Sequence, residues 1–313
     1  MRIKKTLIIF LSVFLSIILF SCNKNIDNES FNKIPVINQI EDNSNISYLG
    51  PNGTYTEEAT KYFFKNGNYI PKSNVKEAIL DVINDNSKYA VIPNENTIGG
   101  VVTNYADELL NAKDVYVVGE IIIPINQTLM GINGAKLEDI KTIYSHQQGL
   151  IQSEEWRKKN LPNAKVIETS STALAAKQVK EANDKSIAAI AAPLAAELYG
   201  LNVLAKNVSI IDTNKTKFYV LSKSRLKQEN VIQTNALFKA CLDADSLAKI
   251  IVKIKQLGIN IVAIHDRPLG TKLGLYNYLI ELQNEKGFND EVLMELDLNL
   301  NFDFLGSFNV LNK

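Results

Sequence analysis

From Ile46 onward, short apolar runs alternate with longer helical stretches, and most runs close on a turn rich in glycine, serine, threonine or asparagine. Ile46-Ser47-Tyr48-Leu49 leads into a helix over 55–65, Tyr89-Ala90-Val91-Ile92 into one over 101–111, and residues 142–144 into one over 148–160. Residues 164–168 precede a helix over 172–182, and residues 186–191 precede one over 193–201. Residues 115–125 read as one or two strands and 217–221 as a returning strand. Strands that regularly hand over to helices predict an α/β domain with mostly parallel sheets. In such domains a ligand lies beyond the carboxyl ends of the strands, where helix N-termini offer unpaired N–H groups and a dipole that favours anions.

The turns at these junctions are Gly50-Pro51-Asn52-Gly53-Thr54-Tyr55, the segment from Pro93 to Gly100, Ser145-His146-Gln147-Gln148 and Ser170-Ser171-Thr172-Ala173. Asn214-Lys215-Thr216-Lys217-Phe218 opens the returning strand. Gly50, Gly53, Gly99 and Gly100 permit close backbone approach, while Thr54, Asn96, Thr97, Ser171 and Thr172 add side-chain donors. Together they predict a cleft for a small, polar, carboxylate-bearing ligand. The same residue types cap helices whatever the function, so any one turn taken alone reads as structural. By the same reasoning Glu57 and Glu58 complement the first helix dipole, His146 packs or caps, and Phe218 belongs to the core.

Lys plus Arg equal Asp plus Glu at 34 each, so the large basic surface that a nucleic-acid backbone requires is not expected. His146 and His265 are the only histidines, with no cluster at ligand spacing, so no metal site is predicted. Neither GxGxxG after a strand nor GxxxxGK[ST] occurs, which removes the usual nucleotide fingerprints.

At the N-terminus, Arg2, Lys4 and Lys5 precede an uncharged, mostly apolar run from Thr6 to Phe20, the pattern of an export signal over residues 1–21. The run is shorter than the roughly 20 residues a spanning helix needs. Leu19-Phe20-Ser21-Cys22 resembles the lipobox of bacterial lipoproteins, which implies cleavage before Cys22 and a lipid on that cysteine. The alternative is an uncleaved N-terminal anchor; either reading tethers the protein to a membrane outside the cytoplasm. Acylation of Cys22 would leave only Cys241, so no intrachain disulfide is expected. Residues 22–45, rich in Asn, Asp, Ser and Lys, read as a flexible tether.

Taken in order, the turns resemble prephenate dehydratase over residues 46–224. The matching motifs are Gly-Pro-x-Gly-Thr-Tyr at 50–55, Pro-x-Glu-Asn at 93–96, Ser-His-x-Gln at 145–148, Ser-Thr-Ala at 171–173, Ala-Ala-Glu-Leu-Tyr-Gly-Leu at 195–201 and Asn-x-Thr-x-Phe at 214–218. The resemblance implies two α/β lobes arranged like a type II periplasmic binding protein. It also implies cofactor-free conversion of prephenate, or the related arogenate, with loss of carbon dioxide and water. Thr216 would assist the departing hydroxyl, Thr54, Asn96, Thr97, Gly100, Ser171, Thr172 and Phe218 would line the substrate, and Lys217 would supply positive charge. The chain departs from the family pattern at Lys217, where arginine is usual, at Asn126-Gln127, where a histidine pair is common, at Thr97 for serine and at Gln147 for proline.

Residues 235–313 read as strand, helix, two strands, helix and strand, which resembles an ACT domain, an α+β ferredoxin-like regulatory module that pairs with another copy. The family's phenylalanine-binding motifs Gly-Ala-Leu and Glu-Ser-Arg-Pro are replaced here by Asp245-Ser246-Leu247 and His265-Asp266-Arg267-Pro268. Asp245 in place of the glycine would obstruct the amino-acid pocket. The expectation is thus an exported, lipid-anchored prephenate dehydratase that forms a dimer or larger assembly, with phenylalanine as a candidate effector. The alternative is a non-catalytic solute-binding lipoprotein for an aromatic or carboxylate ligand.

Overall fold

The computed structural model describes residues 33–209, 213–227, 234–300 and 302–313. The expected signal, Cys22 and the first part of the tether lie outside the described residues. Among the described residues no helix is long and apolar enough to cross a membrane. The chain divides into two compact units, one made of Pro35–Lys227 with Gly306–Lys313, the other centred on Gln228–Leu305.

The first unit contains two lobes. The chain runs through β1 (Val36–Ile37), β2 (Asn45–Leu49), α1 (Tyr55–Phe63), β3 (Asn68–Lys72), α2 (Val75–Ile83), β4 (Tyr89–Asn96), β5 (Gly100–Val101), α3 (Thr103–Asn111) and β6 (Tyr116–Pro124). It then crosses to a second lobe of β7 (Thr128–Gly131), β8 (Thr142–Ser145), α4 (Gln147–Gln152), α5 (Glu154–Asn160), β9 (Lys165–Glu168), α6 (Thr172–Ala182), β10 (Ile187–Ala191), α7 (Pro193–Tyr199) and β11 (Asn202–Ala205). It returns to the first lobe through β12 (Lys215–Ser222) and β13 (Arg225–Leu226). The two crossing segments pair: Val208 N–H donates to Gln127 O (2.9 Å) and Ile125 N–H to Asn214 O (2.8 Å).

In the first lobe β6, β12, β4, β2 and β3 are neighbours in that order, with β2 parallel to β3 and β4, and β12 antiparallel to β4 and β6. Ile46, Tyr48, Phe64, Tyr89, Val91, Ile121, Ile123, Phe218 and Val220 form its core. In the second lobe the order is β11-β7-β10-β8-β9, with β8, β9 and β10 parallel. Its inner strands β7 and β10 are buried on both faces, because Met130 and Ala189 pack into one cluster while their chain neighbours Leu129 and Ala188 pack into the other. Small side chains at Ala175, Ala176, Ala195 and Ala196 bring α6 and α7 into that core.

The second unit is β14 (Thr234–Leu242), α8 (Ala244–Gln256), β15 (Asn260–Pro268), β16 (Tyr276–Asn284), α9 (Asp290–Leu300) and β17 (Asp303–Phe308). Its sheet order is β15-β16-β14-β17, with β14 and β15 each antiparallel to β16. This is the βαββαβ succession read from the sequence. At Gly306 the chain re-enters the first unit, and β18 (Val310–Asn312) adds a parallel strand to β6.

Three expectations need correction. Residues 36–45 are fastened rather than free: β1 pairs with β13, and the Asp42 carboxylate accepts from the N–H groups of Lys65 and Asn66. The expected helix over 148–160 is two helices, because Ser153 Oγ donates back to Gly149 O (2.6 Å), a bond that bends helices, and Ser153 leaves helical geometry. Cys241 is disulfide-bonded, against the expectation of no disulfide. The sequence has one other cysteine, Cys22.

Candidate active site

Strand register places the expected turns. β2 and β4 run parallel, so the 50–54 turn and the segment after Pro93 open from the same end of the first sheet. β12 enters that end from the other direction, with Thr216 opposite Asn96. In the second lobe Ser145, Glu168 and Ala191 end parallel strands, so the turns at 145–148 and 169–172 also share one end. The two ends meet. A Cβ on Gly99 would lie 3.2 Å from Gln148 Nε2 of the other lobe, and within the second lobe one on Gly149 would lie 3.3 Å from Thr172 Cγ2. Tyr199 donates to Asn52 O (3.2 Å), and a Cβ on Gly53, whose φ is +85°, would lie 3.4 Å from Ala195 Cα.

Asn96 is the hub. Its Oδ1 accepts from Ile98 N–H and Gly99 N–H (both 3.0 Å), which fixes the other amide atom as the donor. That Nδ2 stands 2.8 Å from Asn214 Oδ1, 2.9 Å from Thr216 Oγ1 and 3.1 Å from Lys215 O. An amide nitrogen accepts nothing, so Thr216 Oγ1 is the acceptor here and its own hydrogen is free to donate elsewhere. Thr97 bridges the same strands, donating to Thr213 O (3.1 Å) and accepting from Lys215 N–H (3.0 Å).

Thr54 caps α1 by accepting from Glu57 N–H (3.3 Å), and Ser171 caps α6 by accepting from Leu174 N–H (3.0 Å). Both hydroxyls thus serve the capping role that the sequence left open. Thr172 is the first residue of α6, half-buried, and Gly100 sits in β5 at φ +69° with no atom close to where a Cβ would be. His146 Nδ1 accepts from Gln148 N–H (3.3 Å) and caps α4. The first turn is braced by Glu57, which accepts from Gly53 N–H and pairs with Lys61 (2.6 Å), and by Tyr48, which donates to Asn52 Oδ1 (2.7 Å). Burial, with Glu57 and Tyr199 adding to it, pushes the Tyr48 phenol well above its ordinary range and keeps it a neutral donor.

Two expected substrate contacts are placed otherwise. Phe218 is 1% exposed within the first-lobe core, facing hydrocarbon. Lys217 follows Thr216 on a strand and so projects to the opposite sheet face. Its ammonium stands 3.5 Å from the buried Glu120 carboxylate and 3.9 Å from Glu95. Its charge is thus directed at those carboxylates.

The structure also exposes residues that sequence reasoning passed over. Asn94 Nδ2, Asn214 Nδ2 and Gln127 Oε1 are buried with no hydrogen-bond partner. Gln127 Nε2 donates to Gln152 Oε1 (2.9 Å). Asn214 stood inside a quoted motif, but only its pairing with Asn96 gives it a place. Asn94 is skipped in the pairing of β12 with β4, since Lys217 faces Glu95 and Phe218 faces Pro93; a bulge of this kind carries no periodic signal.

In the second unit, Asp245, Ser246 and Leu247 form the first turn of α8, whose N-cap Asp243 accepts from Ser246 N–H (2.8 Å). His265, Asp266, Arg267 and Pro268 end β15, opposite Leu279, Tyr278, Asn277 and Tyr276. Among the described residues no group of three or more His, Cys, Asp or Glu could hold a metal ion.

Two α/β lobes joined by paired crossing segments, with polar turns meeting at one edge, define a two-lobed fold of the periplasmic-binding-protein kind. The family model for prephenate dehydratase matches residues 46–226. The prephenate dehydratase of Methanocaldococcus jannaschii is 34% identical over 277 residues, covering 86% of this chain and 99% of that protein. The crystal structure of prephenate dehydratase from Arthrobacter aurescens in complex with L-Phe matches with a TM-score of 0.75 at 29% identity, over 84% of this chain and 89% of that one. The chain belongs to the prephenate dehydratase family. A structure described as GqqA, a quorum quenching acylase, matches with a TM-score of 0.72 at 24% identity, over 85% of this chain and 98% of that one, a likeness of fold alone.

Proposed function

We propose that this protein converts prephenate to phenylpyruvate in phenylalanine biosynthesis, with Thr216 donating a hydrogen bond to the departing ring hydroxyl. The bond from the ring to its carboxylate breaks and releases carbon dioxide; the electron pair enters the ring, and the carbon–oxygen bond opposite breaks. The oxygen leaves as water after taking up a proton. Aromatisation drives the reaction, so acceleration comes from stabilising charge on that oxygen as it departs. The carrying observation is the direction of the Thr216 hydroxyl, which accepts from Asn96 and therefore has its own hydrogen to give. A threonine is too weak an acid to be a free general acid, so it acts as a fixed donor or relay. Ser171 and Thr172, at the N-terminus of α6, provide donors suited to a carboxylate.

The test is turnover of prephenate by the purified full-length chain, read as phenylpyruvate absorbance in alkali. Thr216→Val keeps the shape and removes the hydroxyl; the expected loss in kcat is on the order of 10²–10³, as for other preorganised donors. A wild-type rate no higher than the spontaneous one would overturn the reading in favour of a solute-binding protein, whose ligand capture does not need that hydroxyl.

The same reading makes the second unit an ACT-type module that pairs with another copy, supported by its βαββαβ order and by the relative crystallised with L-Phe. Asp245 sets a carboxylate in the first turn of α8, and inhibition by phenylalanine is expected to be weaker than in a chain with glycine there. The run preceding Cys22 supports export and lipid anchoring outside the cytoplasm.

A further inference from the structure

We propose that Asn214 is a positioning residue for Thr216, acting through the Asn96 amide; this rests on the role given to Thr216 above. Asn214 is 1% exposed and lies in the segment that brings the chain back from the second lobe, where its carbonyl accepts from Ile125 N–H in the outgoing segment. It is therefore held by the backbone pairing that joins the lobes, two residues ahead of Thr216.

Its side-chain orientation follows from chemistry. Asn96 presents an NH2 group, because its oxygen is already claimed by Ile98 N–H and Gly99 N–H, so the Asn214 atom 2.8 Å away is oxygen. Two hydrogens on Asn96 Nδ2 face three acceptors: Asn214 Oδ1, Thr216 Oγ1 and Lys215 O. Lys215 O already accepts from Thr97 N–H (3.0 Å). Asn214 takes one hydrogen, which leaves the other for Thr216. Without Asn214 the freed hydrogen has Lys215 O as its alternative, and the amide turns away from the Thr216 hydroxyl. That hydroxyl then loses the contact that aims its proton.

An asparagine present only for architecture would satisfy both ends of its amide. Asn214 Nδ2 instead is buried with no partner, an arrangement that costs stability. Keeping the oxygen in use while the nitrogen is idle fits a residue retained for what its oxygen orients.

The experiment compares Asn214→Ala, Asn96→Ala and the double variant in the full-length chain. Asn214→Ala is expected to lower kcat about ten-fold or more with KM within about two-fold, and the double variant to be no slower than Asn96→Ala alone. Its melting temperature should equal or exceed that of the wild type. Additive losses, a raised KM at unchanged kcat (direct contact with substrate), or melting that falls in step with activity would each overturn the proposal. A second measurement needs no turnover: in protein labelled with 15N at asparagine, Asn214→Ala should make a slowly exchanging Asn96 side-chain hydrogen exchange quickly. Unchanged protection there overturns the positioning role, whereas a wild-type chain inert towards prephenate overturns the proposed function alone.

Discussion

Thr216 and Lys217 are neighbours with opposite duties, because successive residues of a strand project to opposite faces of the sheet. Thr216 faces Asn96, whereas Lys217 reaches Glu95 and Glu120, the latter with a side chain only 2% exposed. Lys217→Arg keeps the charge on that face, so kcat/KM for prephenate should stay within a few-fold of wild type. A large rise would place residue 217 in contact with substrate after all. Lys217→Met removes the ammonium that stands 3.5 Å from the buried Glu120 carboxylate, and removing one partner of a buried pair costs up to about 3–5 kcal/mol. Denaturant unfolding of the two variants should show the loss in Lys217→Met and little change in Lys217→Arg.

At the scale of elements, helices that follow a recognised turn were legible, whereas α2 was missed despite its Asn74 cap and apolar face, and so were short irregular strands. Helices at Tyr55–Phe63 and Thr172–Ala182 stand close to where the sequence put them, because each begins at a hydroxyl cap and carries an apolar face. β3 was missed, since Asn68–Lys72 holds Pro71 and no alternation, and so were β7 and β11, four residues each. The site was legible as a set of turns; which sheet face each residue takes was not, because the bulge at Asn94 is fixed by tertiary pairing.

Two element-level predictions follow from geometry. A Cβ on Gly306 would lie 2.0 Å from Val117 O, at φ +144°. Gly306→Ala should therefore cost on the order of 1–3 kcal/mol through backbone strain, and should also disturb β18, which follows directly. Protection of the β18 amides from hydrogen exchange measures this. Asp243 caps α8, and its hydrogen bonds to the Ser246 side chain and backbone hold its carboxyl below the usual value. A depressed folded-state value means that stabilisation is present above the ordinary aspartate value of about 3.9 and is lost as pH falls through the lower folded value. Asp243→Asn keeps an acceptor without the titration, so its melting temperature should fall less steeply than wild type between about pH 4 and pH 2.

For the whole molecule, the proposed lipid anchor at Cys22 can be tested through the sulfur chemistry of the two cysteines, Cys22 and Cys241. A thioether to lipid and a disulfide cannot share one sulfur, so a chain acylated at Cys22 has Cys241 as its one remaining thiol. A chain that bypasses the lipoprotein pathway keeps both thiols and can oxidise them in an oxidising compartment. A processed chain has Cys22 occupied, which leaves Cys241 reduced. Protein extracted from membranes should therefore show one thiol on denaturation and an intact mass that includes lipid, beginning at Cys22. The unprocessed chain, oxidised after purification, should show none. Membrane-extracted protein with neither lipid mass nor a free thiol would rule out the anchor and leave the disulfide as the chain's cross-link. Cys22→Ser separates the two roles further: it should release the protein from the membrane while leaving prephenate turnover unchanged, because no described part of the candidate site contains either cysteine.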